Sequence, residues 1–223
     1  MLVGHVAVGF LGKRVAPSLS LGTAVAAGLA ADLLWAVFLI AGVEHFQILR
    51  RGPTLTSSEV ITRIGYSHSL AMDLLWAILF AGAHFVMRRH WRGTWVVFAA
   101  VLSHWLLDFA SHRPDMPLVP TGDRIFGLGL WTSIPATLVV EGGLWILAAV
   151  AYWRARRSHR RAASCVFWIG FALITLAWYN NIAGPPPTTA SSAAGAASLV
   201  FFSLVSAWAY GMNRLSLKAE GHS

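Results

Sequence analysis

The sequence has few charged residues and almost no cysteine, and both shortages limit what the protein can be. Charged side chains make up 12% of its 223 residues, about half of the usual share for a soluble globular domain. Hydrophobic side chains make up 57%, and the mean hydropathy is +0.61. A soluble chain of this size could not bury so much apolar surface. We therefore expect an integral membrane protein whose partner is the lipid bilayer.

Cys165 is the single cysteine, so one chain cannot form an internal disulfide or supply a cysteine-rich zinc or iron–sulfur site. It lies in an apolar run, which favours a small buried side chain. Lys13 and Arg14 follow the first apolar segment instead of preceding it, so we expect no cleavable signal peptide.

Six apolar segments have the length of a membrane-spanning helix. They cover residues 19–43, 67–87, 94–111, 132–153, 162–183 and 195–213. A shorter apolar segment, residues 2–12, predicts a short re-entrant or half-inserted helix. Between the first two spans we expect a short amphipathic helix near residues 57–64. The predicted fold class is an all-α polytopic helical bundle that forms a single domain.

The basic residues give the chain a formal net charge of +8 and predict its orientation. Twelve of the 17 lysines and arginines fall on the side that carries RARRSHRR, residues 154–161. Basic loops stay on the cytoplasmic side of a membrane, so we expect that side and the C-terminus to be cytoplasmic. The net positive charge is then explained by the orientation of the chain in the membrane, and we expect no nucleic-acid partner.

Ionisable residues inside the predicted spans are the main functional signal, because such side chains are costly in a bilayer. Asp32, His68, Asp73, His84, His104, Asp108 and Glu141 lie in spans, and His5 lies in the short first helix. At a rise of about 1.5 Å per residue, all except His84 fall in the outer half or near the midplane. We therefore expect one polar site beneath the loops 44–66 and 112–131.

The segment LSHWLLDFASH carries the strongest local pattern. His104, Asp108 and His112 follow one another at intervals of four residues and fall on one stripe of a helix. A histidine and a carboxylate at this spacing give two ligands to one metal ion, with the geometry that two histidines have in the H-E-x-x-H motif. These ligands suit zinc, and also manganese or iron. The structural alternative is a hydrogen-bonded His–Asp pair that joins helices.

The segment YSHSLAMD adds a further candidate ligand, His68. We expect His68 to start a helix that Ser67 caps. Asp73 then lies about 140° away around this helix, and a ligand role and a structural role are equally open for it.

The remaining candidates come from other segments. His5, Asp32 and Glu141 are each interpreted as possible ligands, and Glu141 also as a general base. Asp115, in the loop that should cover the site, is the other candidate base, and Arg113 beside it could hold a polar substrate. We interpret His84, which lies toward the cytoplasmic side, as structural.

These segments resemble a bacterial family of membrane-bound, metal-dependent hydrolases. GHVAVGF, AADLLW, YSHSL and HWLLD carry the resemblance, which covers residues 1 to about 112. It implies His5, Asp32, His68, His104 and Asp108 as the metal-binding set. The family's usual Pro-Asp-x-Asp segment reads AADLLW here, and TRIGYSHS lacks its preceding His-Arg pair, so an acid and a histidine of a two-metal site are missing. The His-x-x-x-Asp step is also distantly similar to that of helical zinc phospholipases C.

The leading hypothesis is therefore hydrolysis of an ester or phosphodiester bond at the outer, periplasmic face of a bacterial inner membrane, with a lipid-like substrate inferred from the depth of the site alone. Residues 1–154 would form the core of the metal site, and residues 155–223 two additional spans and a cytoplasmic tail. A transporter or permease that uses the same residues and a non-catalytic membrane scaffold are the alternatives. A bis-histidine haem protein fits less well, because acids surround His68 and His104.

Overall fold

The computed structural model describes residues 1–50, 52, 54, 58–122, 124–155, 161–186 and 191–217. Nine α-helices are found there: α1 Leu2–Val15, α2 Leu21–Gly28, α3 Ala30–Ile40, α4 Gly65–His68, α5 Leu70–Arg88, α6 Trp91–Ser111, α7 Ile134–Ala155, α8 Arg161–Ala183 and α9 Ser191–Leu217. The basic segment 154–161 lies mostly outside the described residues, and Lys218 of the tail lies outside them entirely.

Five of the described helices, α5 to α9, are long and apolar enough to cross a membrane. Helices α2 and α3 pass the same test together, but they meet at an angle of 59° and so form one bent segment. The outward faces of the long helices are apolar; in α7, for example, Val139 is 75% exposed and Leu147 is 70% exposed. A multi-pass helical membrane bundle with five or six spans accounts for these features.

Helix α1 lies in the middle of the bundle and packs against α2, α6 and α7. Phe10 is fully buried there and stacks on Trp145 of α7, with ring centroids 5.3 Å apart. Gly9 permits the close approach of α2, since a Cβ at Gly9 would lie 2.6 Å from the Cα of Val25. The short apolar N-terminal segment is thus a central element of the core.

Helices α8 and α9 pack along this core. The indole of Trp145 donates to the hydroxyl of Thr175 in α8 over 2.9 Å, and the side-chain oxygen of Asn213 in α9 accepts from the backbone N–H of Leu21 over 3.3 Å. Cys165 of α8 is exposed, so the prediction of a buried cysteine is wrong. Its position leaves it on the outer surface of the bundle.

Two short antiparallel hairpins lie among the loops. The first pairs β1 His45–Arg50 with β2 Glu59–Arg63, and the second pairs β3 Met116–Pro117 with β4 Ile125–Phe126. The amphipathic helix expected near residues 57–64 is therefore wrong, because residues 59–63 form a strand. The β-branched residues Val60, Ile61 and Thr62 favour a strand, and pairing with β1 forms it.

Candidate metal centre

Helix α6 presents its histidine–aspartate stripe to the interior of the bundle. His104 and Asp108 are buried, at 1% and 2% exposure, and His112 at the end of the helix is half-buried. The four-residue spacing places Asp108 between the two imidazoles: its Oδ2 lies 3.3 Å from Nε2 of His104 and 3.7 Å from Nε2 of His112. The single stripe predicted from the sequence is thus confirmed.

The contacts of His104 fix which of its nitrogens carries the proton. Nδ1 lies 2.8 Å from the carbonyl oxygen of Gly28, which can only accept, so Nδ1–H is the donor. Nε2 faces Asp108, and in the neutral ring it is the nitrogen that carries the lone pair. Among the described residues, this buried nitrogen has no hydrogen-bond partner. A metal-binding histidine is typically held in this way, with one nitrogen bonded to an oxygen and the other directed at the ion.

A chain of hydrogen bonds from Glu44 through Ser67 orients His68 in the same way as His104, with Nδ1 as the donor. The Ser67 hydroxyl donates to Oε2 of Glu44 over 2.6 Å and lies 2.7 Å from Nδ1 of His68, so His68 donates to Ser67. The second oxygen of Glu44 accepts the backbone N–H groups of Tyr66 and Ser67. Nε2 of His68 then faces Asp108 at 3.7 Å and Asp32 at 3.8 Å.

Asp32 and His5 close the cluster from the other side. Asp32 follows the bend between α2 and α3, and its Oδ1 lies 3.9 Å from Nε2 of His104. The His5 ring stacks on that of His104, with centroids 3.6 Å apart, and its Nε2 lies 3.0 Å from Oδ1 of Asp108. The amino group of Met1 contacts Oδ1 of Asp108 and Nε2 of His5.

The separations between the lone-pair nitrogens and the carboxylates fit metal ligands better than hydrogen-bonded pairs. Nε2 atoms of His68 and His104 lie 3.3 to 3.9 Å from oxygens of Asp32 and Asp108, whereas N–H···O bonds are about 2.7–3.2 Å long. Two ligand atoms that are each about 2.1 Å from a tetrahedral zinc ion lie about 3.4 Å apart.

Two groups of residues each offer three ligand atoms that lie within 4.8 Å of one another. The first group is His68, His104 and Asp108, and the second is His5, Asp32 and His104. These buried histidines and aspartates could hold a metal ion.

His112 lies at the edge of the cluster and belongs to neither group. Its Nδ1 donates to Oδ1 of Asp115 over 3.0 Å, and its ring packs against Trp131, with centroids 4.7 Å apart. Nε2 is thereby turned toward Asp108. The pair of His112 and Asp115 lines a cavity of about 720 Å³ that also reaches Asp32, His68 and Asp108.

Glu141, the other expected base, has a different setting. Its Oε1 accepts the backbone N–H of Val3 over 3.0 Å and its Oε2 accepts the indole N–H of Trp131 over 3.1 Å. The side chain is fully buried at the start of α1 and is not among the residues that line the cavity. It stabilises unpaired N–H groups at a helix N-terminus, and through Trp131 it supports the ring packed on His112.

Two details differ from the sequence predictions: the residue that caps α5, and the position of His68, which ends α4 instead of starting a helix. Ser69, not Ser67, caps α5, since its hydroxyl accepts the N–H of Met72. Asp73 and His68 therefore lie on separate helices, and the 140° offset does not apply. Asp73 is buried and accepts the backbone N–H of Trp105 over 3.3 Å.

His84 bonds the Thr94 hydroxyl over 3.1 Å, which agrees with a structural role.

Glu44 is the residue of the site that sequence reasoning missed. It was placed in an outer loop, yet it is 1% exposed and bonded to the segment that carries His68. The signal available in the sequence is its position directly after the predicted span 19–43, in a chain with only nine acids. Its partner lies 23 residues away, and no local pattern indicates that pairing.

Comparison with known proteins identifies no matching family, no matching curated protein and no matching solved structure. The fold and the site therefore define the class of this protein: a multi-pass helical bundle whose buried histidines and aspartates could hold a metal ion.

Proposed function

We propose that the protein is a metal-dependent hydrolase of an ester or phosphodiester bond. One observation carries the proposal: His68, His104 and His112 each have Nδ1 held by an oxygen and each direct Nε2 at the Asp108 carboxylate. Three imidazole Nε2 atoms thus converge on one carboxylate, and those of His68 and His104 can serve with Asp108 as ligands of one metal ion. The resemblance of four short segments to membrane-bound metal-dependent hydrolases supports the same assignment.

The donor set favours zinc. His68, His104 and Asp108 would be the ligands, with Asp32 and His5 beside them, and mixed nitrogen and oxygen donors suit zinc more than magnesium or calcium. Manganese and iron accept the same donors. A bound divalent ion acts as a Lewis acid and lowers the pKa of water at the site. Three protein ligands leave a coordination position for that chemistry.

The protein's own contribution to proton transfer would come from His112 and Asp115. Asp115 holds the ring through Nδ1, so Nε2 of His112 is the nitrogen that would accept a proton at the cavity wall. Asp115 then stabilises the imidazolium that forms, as an acid does beside a catalytic histidine. Arg113 lines the same cavity and supplies positive charge for an anionic substrate group.

We also propose that the site faces the outside of a bacterial inner membrane. The basic residues support this orientation, because the loops beside the cluster carry few of them and the opposite end carries most. Loop residues 112–122 and 124–131 lie at the cavity end of the bundle, where Arg113, Asp115 and Trp131 line the cavity. A periplasmic substrate would reach the cluster from that end.

Metal analysis joined to a hydrolysis assay tests the proposal. Protein in lipid nanodiscs is expected to contain a stoichiometric divalent metal and to hydrolyse bis(p-nitrophenyl) phosphate or a p-nitrophenyl ester. His104→Ala and Asp108→Asn should lose both properties, whereas His84→Ala, a histidine in the same bundle, should keep them. Metal-free protein with variants that behave as wild type would overturn the proposal, and metal flux into liposomes without hydrolysis would favour a transporter.

A further inference from the structure

Helices α8 and α9 carry none of the residues of the cluster, yet they form one wall of the cavity. Ala194, Ala197, Ser198 and Phe201 of α9 line it at intervals that fall on one helical face. Ala177, Asn180 and Asn181 of α8 line it from the neighbouring helix with the same spacing. These two spans, which lie outside the residues that carry the family resemblance, therefore line the same cavity as Asp32, His68 and Asp108.

The cavity is several times larger than a hydrated metal ion and has room for an organic substrate. Six waters need about 180 Å³ at about 30 Å³ each, and the cavity measures about 720 Å³. Small side chains at Ala194, Ala197 and Ser198 leave the space open, and Phe201 and Phe202 line it further along α9. Arg113, His112 and Asp115 line the cavity from the loop side, whereas the helical wall is formed mainly by apolar side chains, with Asn180 and Asn181 of α8 and Ser198 of α9 as its polar members.

We propose that the substrate is an amphiphile with a phosphate ester head and a hydrocarbon chain, and that the face of α9 from Ala194 to Phe201 holds the chain. The assignment of the reacting ester to the metal centre rests on the proposed function. The site for the hydrocarbon chain, called the chain slot below, is inferred from the residues of α9 that line the cavity. Arg113 and the metal centre recognise the anionic head, since both would be cationic. The apolar part of the α9 face, Ala194, Ala197 and Phe201, recognises a hydrocarbon chain.

The geometry also gives a chain length. Ala194 and Phe201 are seven residues apart, which is about 10 Å along a helix. An extended chain advances about 1.2 Å per bond, so about eight carbons fill the slot. Each methylene that becomes buried should tighten binding about fourfold until the slot is full.

Photolabelling tests this slot without requiring turnover. The probes are alkylphosphonates with chains of four, eight and twelve carbons and a terminal diazirine, applied to protein in nanodiscs and mapped by peptide mass spectrometry. We expect the eight-carbon probe to label the α9 peptide that contains residues 194–202. Ala197→Trp should reduce that labelling at least tenfold, and Ala194→Leu severalfold.

Ala196→Trp is the matched control, because Ala196 is exposed on the same helix and does not line the cavity. It should label as wild type does. The ratio of wild-type labelling to Ala197→Trp labelling is compared for each probe, because the partition of the probe into the bilayer affects both proteins equally. This ratio should rise from near one for the four-carbon probe to at least ten for the eight-carbon probe. Unchanged metal content in each variant establishes that it is folded.

Equal labelling in both tryptophan variants, or labelling confined to other helices, would overturn the chain slot. Failure of hydrolysis with α9 labelling retained would instead overturn the proposed function alone. Single-chain lysophosphatidic acid and two-chain phosphatidic acid are each tested as competitors of the probe, and the stronger competitor shows which of the two lipid classes fits the chain slot. Displacement by inorganic phosphate as strong as that by both lipids would also overturn the slot.

Discussion

Glu44 and Ser67 share a 2.6 Å hydrogen bond, although one follows α3 and the other lies in the one-turn helix α4. The bond orients the Ser67 hydroxyl, which in turn receives Nδ1–H of His68 and leaves Nε2 directed at the cluster. A loop carboxylate thus sets the tautomer of a histidine that it does not touch. Such outer partners strongly affect the affinity of a metal site.

Breaking this chain of hydrogen bonds should weaken metal binding. Glu44→Gln and Ser67→Ala are each expected to lower zinc affinity about 10- to 100-fold, measured by competition with a chelator of known affinity. Because both act through His68, the double variant should be little worse than either single one. Ser103→Ala removes a hydroxyl that bonds within its own helix and should leave the affinity unchanged. Additive losses would contradict a common path through His68.

Removal of the metal should destabilise the bundle. An ion that binds only the folded state adds about 2.7 kcal/mol at 100 times its dissociation constant, and it also compensates buried carboxylates. Chelation should therefore lower the unfolding temperature of the wild type, and zinc should restore it. His104→Ala should show neither response, and His84→Ala should show both. An identical chelator response in His104→Ala would place the metal elsewhere.

Gly28 should tolerate no side chain. A Cβ there would lie 2.4 Å from the carbonyl oxygen of His5, and the Gly28 carbonyl itself accepts from His104. Gly28→Ala should therefore lower the free energy of unfolding by about 1–3 kcal/mol and reduce metal content.

Gly82→Ala is the control for this substitution, since nothing lies within 4 Å of a Cβ at Gly82. It should be neutral or raise stability by about 0.5–1 kcal/mol, because alanine is the better helix former. Similar losses of stability in both variants would contradict the packing argument.

His112 separates a proton-transfer role from a ligand role. If it accepts a proton, His112→Gln should keep its metal and lose about 10²- to 10⁴-fold in hydrolysis rate, with Asp115→Asn affecting the rate in the same direction. Metal content and rate are measured on the same samples. Loss of the metal in His112→Gln would instead make His112 a ligand, as the sequence stripe allows.

The proposed orientation can be checked with cysteines placed in a Cys165→Ser background. Gly122→Cys should react with a membrane-impermeant maleimide on intact cells, because the loop beside the cluster would face outward. Ser158→Cys should react only after permeabilisation. The opposite pattern would place the site on the cytoplasmic side.

The helical elements and half of the site were predictable because their causes are local. Apolar runs of about 20 residues follow from the thickness of the hydrocarbon core, and the predicted segment 94–111 agrees closely with α6. The stripe of His104, Asp108 and His112 follows from the helical period alone.

Other features depend on contacts between distant segments. Ser67 looked like a helix cap, but the chain breaks at Ser69 and frees Ser67 for Glu44. Glu141 has the sequence setting of a base in a span, yet the N-terminus of α1 supplies its partners. Strand β2 exists because β1 pairs with it.

The sequence by itself determined that this chain has the apolar helices of a multi-pass membrane bundle and that His104 and Asp108 belong to a polar cluster inside it, because a bilayer penalises every unneeded charge. Only the tertiary structure decided which nitrogen of each histidine faces the cluster, which carboxylate holds His68 in place and which helices wall the cavity. Those features are set by hydrogen bonds and packing between segments far apart in the chain, which no local spacing encodes.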